Sequence, residues 1–123
     1  MQELKFTLSY PPSTNRIWRR SGTRIYLNPI AKRYREEVLG VTFGMPKFGN
    51  AEVNIELKLF PADLRRRDLD NAAKSLLDAL KHVQIINDDS QVKRLLIEMC
   101  EIRVGGEVEV LIKEYSLCGR SYA

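Results

Sequence analysis

This sequence has few of the residues on which several classes of small protein depend. It contains two cysteines and one histidine in 123 residues, which argues against a disulfide framework and against a zinc site. No apolar run reaches the roughly 18 residues that a membrane span needs, and the N-terminus lacks the apolar block of a signal peptide. We therefore expect one globular domain, residues 1–123, in the cytoplasm and without a membrane partner.

What the chain does have is positive charge, concentrated near its start. The formal net charge is +4. Residues 1–35 hold eight lysines and arginines against one acidic residue, so the rest of the chain is net acidic. A concentrated basic segment indicates a polyanionic partner, most commonly nucleic acid, although ordinary soluble domains carry such patches too.

Alternation of apolar and polar residues indicates where the strands lie. It predicts one strand over residues 4–10 and another over residues 52–60. Two later apolar runs, near 92–103 and over 108–113, flank Gly105-Gly106. Two glycines between such runs are typical of a β-hairpin, so we expect these strands to pair with each other.

Helical spacing of apolar residues predicts two helices. Asn28-Pro29 is typical of a helix start, with an N-cap followed by proline in the first turn. A second helix is expected from about Asp70 to Val83, and a long loop, residues 11–28, precedes the first helix. The order β-α-β-α-β-β predicts an α/β (α+β) fold in which two helices pack on a mixed sheet of about four strands.

The most informative stretch is Arg-Arg-Arg-Asp-Leu-Asp-Asn-Ala-Ala-Lys, residues 65–74. It places Asp68 and Asp70 where an extended segment becomes a helix. Residues two apart in an extended segment point the same way, so the two carboxylates could converge on one point. Asp70 is the predicted N-cap, and Lys74 lies one turn further along the same face.

Together these residue types suit metal-assisted hydrolysis of a phosphodiester. Neighbouring carboxylates repel each other unless a cation joins them, and Mg²⁺ or Mn²⁺ takes carboxylate, water and phosphate oxygens as ligands. Asp89, in the acidic pair that follows the helix, could add a ligand. Lys74 could neutralise charge that develops on a phosphate. Taken singly, each feature is ordinary, because an Asp at a helix start is usually only a cap and an Asp–Lys pair is often a weak surface pair.

This stretch resembles the central motif of the RusA family of Holliday-junction resolvases, small bacterial and prophage endonucleases that cut four-way DNA junctions using Mg²⁺. The segment Tyr-Pro-Pro-Ser-Thr-Asn-Arg, residues 10–16, resembles the N-terminal signature of the same family. The resemblance covers nearly the whole chain, and only the tail from about residue 116 has no counterpart.

The resemblance implies a Mg²⁺-dependent, structure-selective endodeoxyribonuclease, with Mn²⁺ as a possible substitute. Such an enzyme resolves Holliday junctions by symmetric paired nicks during DNA recombination and repair, in a bacterial or phage-infected cell. Asp68, Asp70 and Asp89 carry over as the catalytic metal-binding acids. Lys74 carries over as the catalytic lysine, and Arg67 as a DNA contact.

Further DNA contacts are expected from the long loop and the arginine run. Residues 11–28 interleave arginines with Trp18 and Tyr26, a composition that can hold phosphates and stack on exposed bases. The two aromatics could equally pin the loop to the core. The residues expected to bind nucleic acid are Asn15, Arg16, Arg19, Arg24, Arg65, Arg66 and Arg67.

Chain geometry predicts that the third acid comes from a second subunit. A helix over residues 70–83 is about 21 Å long, and the six residues from Val83 to Asp89 reach roughly 20 Å when fully extended. If the flanking strands are parallel, Asp89 lies at the opposite end of the sheet from Asp70. We therefore expect a twofold homodimer in which Asp68, Asp70 and Lys74 of one subunit meet the partner subunit's Asp89.

Two other functions stay open at this point. One is a different metal-dependent nuclease that acts on branched DNA or RNA. The other is a non-catalytic nucleic-acid-binding module of the same fold, which would bind tightly and show no Mg²⁺-dependent cleavage.

Overall fold

One mixed four-stranded sheet and two helices dominate the computed structural model, which describes residues 2–13, 18–22 and 24–116. The strands of this sheet are β1 (Glu3–Ser9), β4 (Val53–Phe60), β5 (Val92–Met99) and β6 (Glu107–Glu114). The helices are α1 (Pro29–Thr42) and α2 (Leu69–His82). Two short strands, β2 (Trp18–Ser21) and β3 (Arg24–Leu27), pair only with each other. The predicted α+β fold with a mixed sheet is thus confirmed.

The strand order of the large sheet is β1-β6-β4-β5. β6 runs antiparallel to both β1 and β4, and β5 runs parallel to β4. The parallel pairing confirms the expectation from the helical crossover, since α2 connects these two strands. As a result β1, β4 and β5 all point the same way, and their carboxyl ends meet at one end of the sheet.

The predicted hairpin at Gly105-Gly106 is wrong, because β4 lies between β5 and β6 in the sheet. After β5 the chain instead crosses the carboxyl end of β4, where the backbone N–H of Arg103 donates to the carbonyl of Pro61 at 2.9 Å. Both glycines have positive φ. A Cβ on Gly106 would lie 3.2 Å from the Cβ of Tyr10, so the turn also needs glycine for close packing.

The hydrophobic core lies between the two helices and one face of the sheet. Phe6, Val110 and Leu57 are register partners across three strands and share this face. Helix α2 contributes Leu76 and Leu80, both fully buried, as its helical spacing predicts. The core therefore fixes α2 along the sheet, from the carboxyl end of β4 back toward its amino end.

Strand β5 forms one edge of the sheet and stays exposed. Leu95, Leu96 and Met99 keep 39%, 47% and 37% of their accessible surface. An apolar strand with an unpaired edge is a ready template for another chain. None of the helices within the described residues is long and apolar enough to cross a bilayer.

Helix starts agree with the sequence at α1 and differ at α2. Asn28 caps α1 as expected, and its Oδ1 accepts from the N–H of Ile30 at 2.8 Å. Helix α2 begins at Leu69, so its N-cap is Asp68 and the predicted cap Asp70 lies in the first turn. Part of the expected loop over 11–28 is the β2–β3 hairpin.

Candidate active site

A cleft of about 380 Å³ forms at the carboxyl end of the sheet, where ligands of open α/β sheets commonly bind. It exists because β1 and β4, which lie on either side of β6, run in the same direction and end at the same edge of the sheet. This brings the segment after β1 against the start of α2. The cleft thus joins the N-terminal signature to the central motif. Its lining residues are Tyr10, Pro11, Pro12, Ser13, Arg66, Arg67, Asp68, Asn71 and Ala72.

The carboxylate of Asp68 lines this cleft and does not cap its helix. An Asp at an N-cap usually accepts a hydrogen bond from a backbone N–H in the first turn. Asp68 makes no such bond. Its Oδ2 instead accepts from the side-chain amide of Asn71 at 3.3 Å. An acid that occupies a capping position without capping is left available for a ligand in the cleft.

The three arginines before Asp68 differ in their surroundings. The Arg65 side chain is 81% exposed and pairs with Asp63 at 3.2 Å. Arg66 is exposed and lines the cleft, and no partner for its guanidinium is present in the described part of the chain. Arg67 is only 19% exposed and lies 3.0 Å from Asp63. Arg66 is therefore the arginine of this run best placed to meet a phosphate.

Tyr10 forms the wall of the cleft behind Arg67. The guanidinium carbon of Arg67 lies 5.3 Å from the ring centroid, within the range of a cation–π contact. The Tyr10 hydroxyl is buried and has no hydrogen-bond partner among residues 2–13, 18–22 and 24–116. Burial raises the pKa of this phenol, and the charge of Arg67 partly opposes that rise.

A second depression, a groove of about 220 Å³, runs between α2 and β5. Asp70 lies toward one end of the groove, at the start of α2, and Asp89 comes from the turn that leads into β5. Lys74 and Asp78 line it between them. The side chains of Asp70 and Asp89 have no partner within the described residues. The structure therefore places Asp70, Lys74 and Asp89 along one groove, with Asp68 in the neighbouring cleft.

One chain does not gather the three predicted metal ligands at a point. Among the described residues, no three His, Cys, Asp or Glu side chains lie close enough to share a metal ion. The reason is topological. Val53 and Val92 are register partners at the amino ends of β4 and β5, so Asp89 lies near the amino end of this pair, whereas Asp68 lies past its carboxyl end.

The turn that carries Asp89 is fixed by a buried glutamine. The side-chain carbonyl of Gln91 accepts from the N–H groups of Asn87 and Asp88, at 2.6 and 2.8 Å. Its amide donates to the carbonyls of Gly49 and Ala51, at 2.7 and 2.8 Å. We call residues 87–91 the Gln91 turn. Within it the carboxylate of Asp88 accepts from the N–H and hydroxyl of Ser90, and these bonds lower its pKa.

Sequence reasoning missed four residues that shape the site: Tyr10, Asp63, Asn71 and Gln91. Tyr10 and Asn71 stand in the two segments that carry the family resemblance, although neither was predicted as a site residue. Gln91 carried a separate signal, since Asp-x-x-Gln is a capping-box pattern and the structure forms that box. Of the expected DNA contacts, Asn15 and Arg16 lie outside the described residues. Arg19 and Arg24 lie in the β2–β3 hairpin, in which only the backbone is described.

Comparison with known proteins points to one family. A family model described as "Endodeoxyribonuclease RusA" matches residues 9–113. The chain is 34% identical over 116 residues to "Crossover junction endodeoxyribonuclease rusA" of Enterobacteria phage HK97 and, equally, to the protein of that name from Enterobacteria phage 82. It is 32% identical over 122 residues to the corresponding protein of Escherichia coli strain K12. Each alignment covers 93% of this chain and 97% of the relative.

Proposed function

This chain belongs to the RusA family of endodeoxyribonucleases, and from that premise we propose that it resolves four-way DNA junctions by paired, symmetric nicks. The observation that carries the proposal is the Asp68 carboxylate, which occupies a capping position, does not cap, and faces a cleft rimmed by Arg66. The expected setting is the cytoplasm of a bacterial or phage-infected cell, where recombining DNA is found.

A divalent cation fits the donor set. Asp68, Asp70 and Asp89 offer hard carboxylate oxygens, and no sulfur or imidazole ligand lines either depression. We assign Mg²⁺ to this set, with Mn²⁺ as a substitute. When bound, such an ion polarises a phosphodiester and makes water a better nucleophile at neutral pH.

The protein's own residues bind and orient the DNA strand. The exposed guanidiniums of Arg65 and Arg66 attract the phosphates that flank the cut. The start of α2 presents backbone N–H groups and the positive end of the helix dipole, both favourable for a phosphate. Lys74, one turn along α2, supplies an ammonium that can donate to a phosphate oxygen as negative charge builds. Asn71 holds the Asp68 carboxylate in the cleft.

The third acid is proposed to come from a second copy of the chain. The groove between α2 and β5 has Asp70 toward one end and Asp89 toward the other. A twofold axis perpendicular to the groove at its midpoint would place Asp70 of each subunit opposite the partner subunit's Asp89. The dimer would then contain two equivalent sites. Leu95 of β5, which is 39% exposed, lines the groove and would be covered in such a dimer.

Two equivalent sites match a substrate with two equivalent strands. A junction is resolved only when both strands are cut, and a twofold dimer presents one site to each. A single chain lacks a three-acid cluster within its described residues, so a monomer is expected to bind junctions and not cut them.

The direct test is cleavage of a synthetic four-way junction with and without Mg²⁺, beside matched duplex DNA and structured RNA. We expect Mg²⁺-dependent nicks in two opposed strands of the junction alone. Asp70→Asn should abolish cutting and keep binding, because binding depends on the basic residues. Cleavage of RNA at an equal rate would favour a different nuclease, and tight binding without any cleavage would favour a binding module.

A further inference from the structure

The loop between β4 and α2 is closed by a cluster of contacts around Asp63. Its carboxylate accepts from the backbone N–H of Arg65 at 3.0 Å and from Arg65 Nε at 3.2 Å. The same carboxylate lies 3.0 Å from Nη2 of Arg67. Asp63, Arg65, Arg67 and Tyr10 are called the Asp63 cluster below.

Arg67 directs its guanidinium into this loop. Its Nη1 donates to two backbone carbonyls, those of Asp63 and Arg65, each at 3.0 Å. Its Nη2 meets the Asp63 carboxylate, and its planar group lies over the Tyr10 ring. Of the five N–H donors of a guanidinium, three are thereby engaged within the chain, on a side chain that is 19% exposed.

We propose that Asp63 and Arg67 are positioning residues for Asp68, and that Arg66, one residue away, makes the phosphate contact. This inference rests on the proposed function and concerns which arginine does what within the same site. Arg67 immediately precedes Asp68, so its four contacts fix the direction in which the chain enters α2. A carboxylate placed by a rigid loop binds metal more productively, because small displacements of a reacting group can cost orders of magnitude in rate.

The cluster has properties that an ordinary surface ion pair lacks. Exposed pairs contribute little because both side chains are flexible and solvated. Here one carboxylate joins two arginines and a backbone N–H, and Arg67 also bonds main-chain oxygens on either side of Leu64. These bonds, with that from the Arg65 N–H first, hold the pKa of Asp63 at about 2, so the cluster stays ionised at any working pH.

The salt dependence of junction binding separates the two roles. Each phosphate contact contributes about 0.9 to the slope of log K against log salt concentration. In metal-free buffer, Arg66→Gln should lower that slope by about one unit. Arg67→Gln should leave the slope unchanged, because three of the guanidinium donors of Arg67 are engaged within the chain.

The kinetics then decide the role of Arg67. A lysine has no planar guanidinium with which to reach both carbonyls and the Asp63 carboxylate while lying over the Tyr10 ring. Arg67→Lys should therefore lower kcat roughly tenfold or more while KM for the junction stays within about twofold. Asp63→Asn should give the same split. The double variant should have a kcat no lower than that of the poorer single variant, because both substitutions disrupt the same set of contacts.

Two results would overturn the proposal. The first is full kcat in Arg67→Lys together with a one-unit fall in the salt slope of Arg67→Gln, which would make Arg67 the phosphate contact. The second is a Mn²⁺ affinity, measured by electron paramagnetic resonance, that is unchanged in Asp63→Asn and Arg67→Lys while their KM rises. If the wild-type protein did not cut junctions at all, the proposed function would fail. The salt slopes would still show which arginine meets phosphate, and the Mn²⁺ affinities would still show whether the Asp63 cluster positions Asp68.

Discussion

The two turns that carry the candidate acids lie at opposite ends of the parallel β4–β5 pair. They are stabilised by different kinds of interaction. The turn before α2 is fixed by ionised side chains near the surface, centred on Asp63. The turn before β5 is fixed by a neutral amide, Gln91, which is 7% exposed and makes four hydrogen bonds. In each turn one side chain, Asp63 or Gln91, forms the hydrogen bonds that hold the backbone. The neighbouring acid, Asp68 or Asp89, caps no helix.

This difference separates residues needed for the fold from residues needed for the site. A buried amide that joins four backbone groups in partly buried hydrogen bonds cannot be removed without leaving some of those groups unpaired, which costs stability. The carboxylate of Asp63 stays close to water, so we expect its removal to cost the fold less than the removal of Gln91. The Asp63 cluster is therefore expected to matter chiefly through the position of Asp68.

The largest expected effect is the loss of junction cleavage when Asp68 or Asp89 is replaced. Asp68→Asn and Asp89→Asn should each reduce junction cleavage by about a thousandfold or more, since loss of a metal ligand forfeits several kcal/mol of transition-state stabilisation. Junction affinity should stay within about threefold. The matched control is Asp88→Asn, whose carboxylate is already bonded to Ser90. An equal loss of cleavage in Asp88→Asn and Asp89→Asn would contradict the distinction between residues that hold the turn and residues that bind metal.

The next largest effect is a loss of stability when the Gln91 turn is disrupted. Gln91→Leu should destabilise the fold by about 3 kcal/mol, because two N–H groups and two carbonyls in partly buried hydrogen bonds lose their partner. In a domain of this size that lowers Tm by about 10 °C. Gln84→Asn, at an exposed glutamine with positive φ, should change Tm little. A Tm for Gln91→Leu equal to the wild type would show that water replaces the amide.

Several of these features could be read from the sequence, and others could not. Local signals placed the Asn28 cap of α1 and the alternation of β4. The central motif singled out Asp68, Asp70 and Lys74, whose roles stay predictions. The pairing of β6 with β1 and β4 was missed because strand order depends on contacts distant in sequence, which a Gly-Gly turn does not encode. The inward direction of Arg67 was missed for a similar reason, since Tyr10 belongs to another strand end.

A pH comparison sharpens the contrast between the two turns. The Asp63 pKa is lowered to about 2, from about 3.9 in an unfolded chain. Its contribution to stability is therefore complete above about pH 4 and is lost as the pH falls through about 2. The Tm difference between wild type and Asp63→Asn should shrink over that window. The deficit of Gln91→Leu should persist, because an amide does not titrate.

The smallest effect is expected at Asp78, which lines the same groove as Asp70 and Asp89. It is not among the proposed ligands, so Asp78→Asn should change the cleavage rate by less than about twofold and leave Mn²⁺ affinity as it was. A loss as large as that of Asp70→Asn would mean that the groove gathers its acids within one chain.

The central claim, that each site combines acids from two subunits, is tested most directly with mixed dimers. One chain carries Asp70→Asn, the other Asp89→Asn, and two different affinity tags isolate the heterodimer. If the acids are shared, one site keeps both wild-type residues, and the heterodimer should nick one strand of a four-way junction although both parent homodimers are inactive. A heterodimer as inactive as its parents, yet still bound to the junction, would contradict the account.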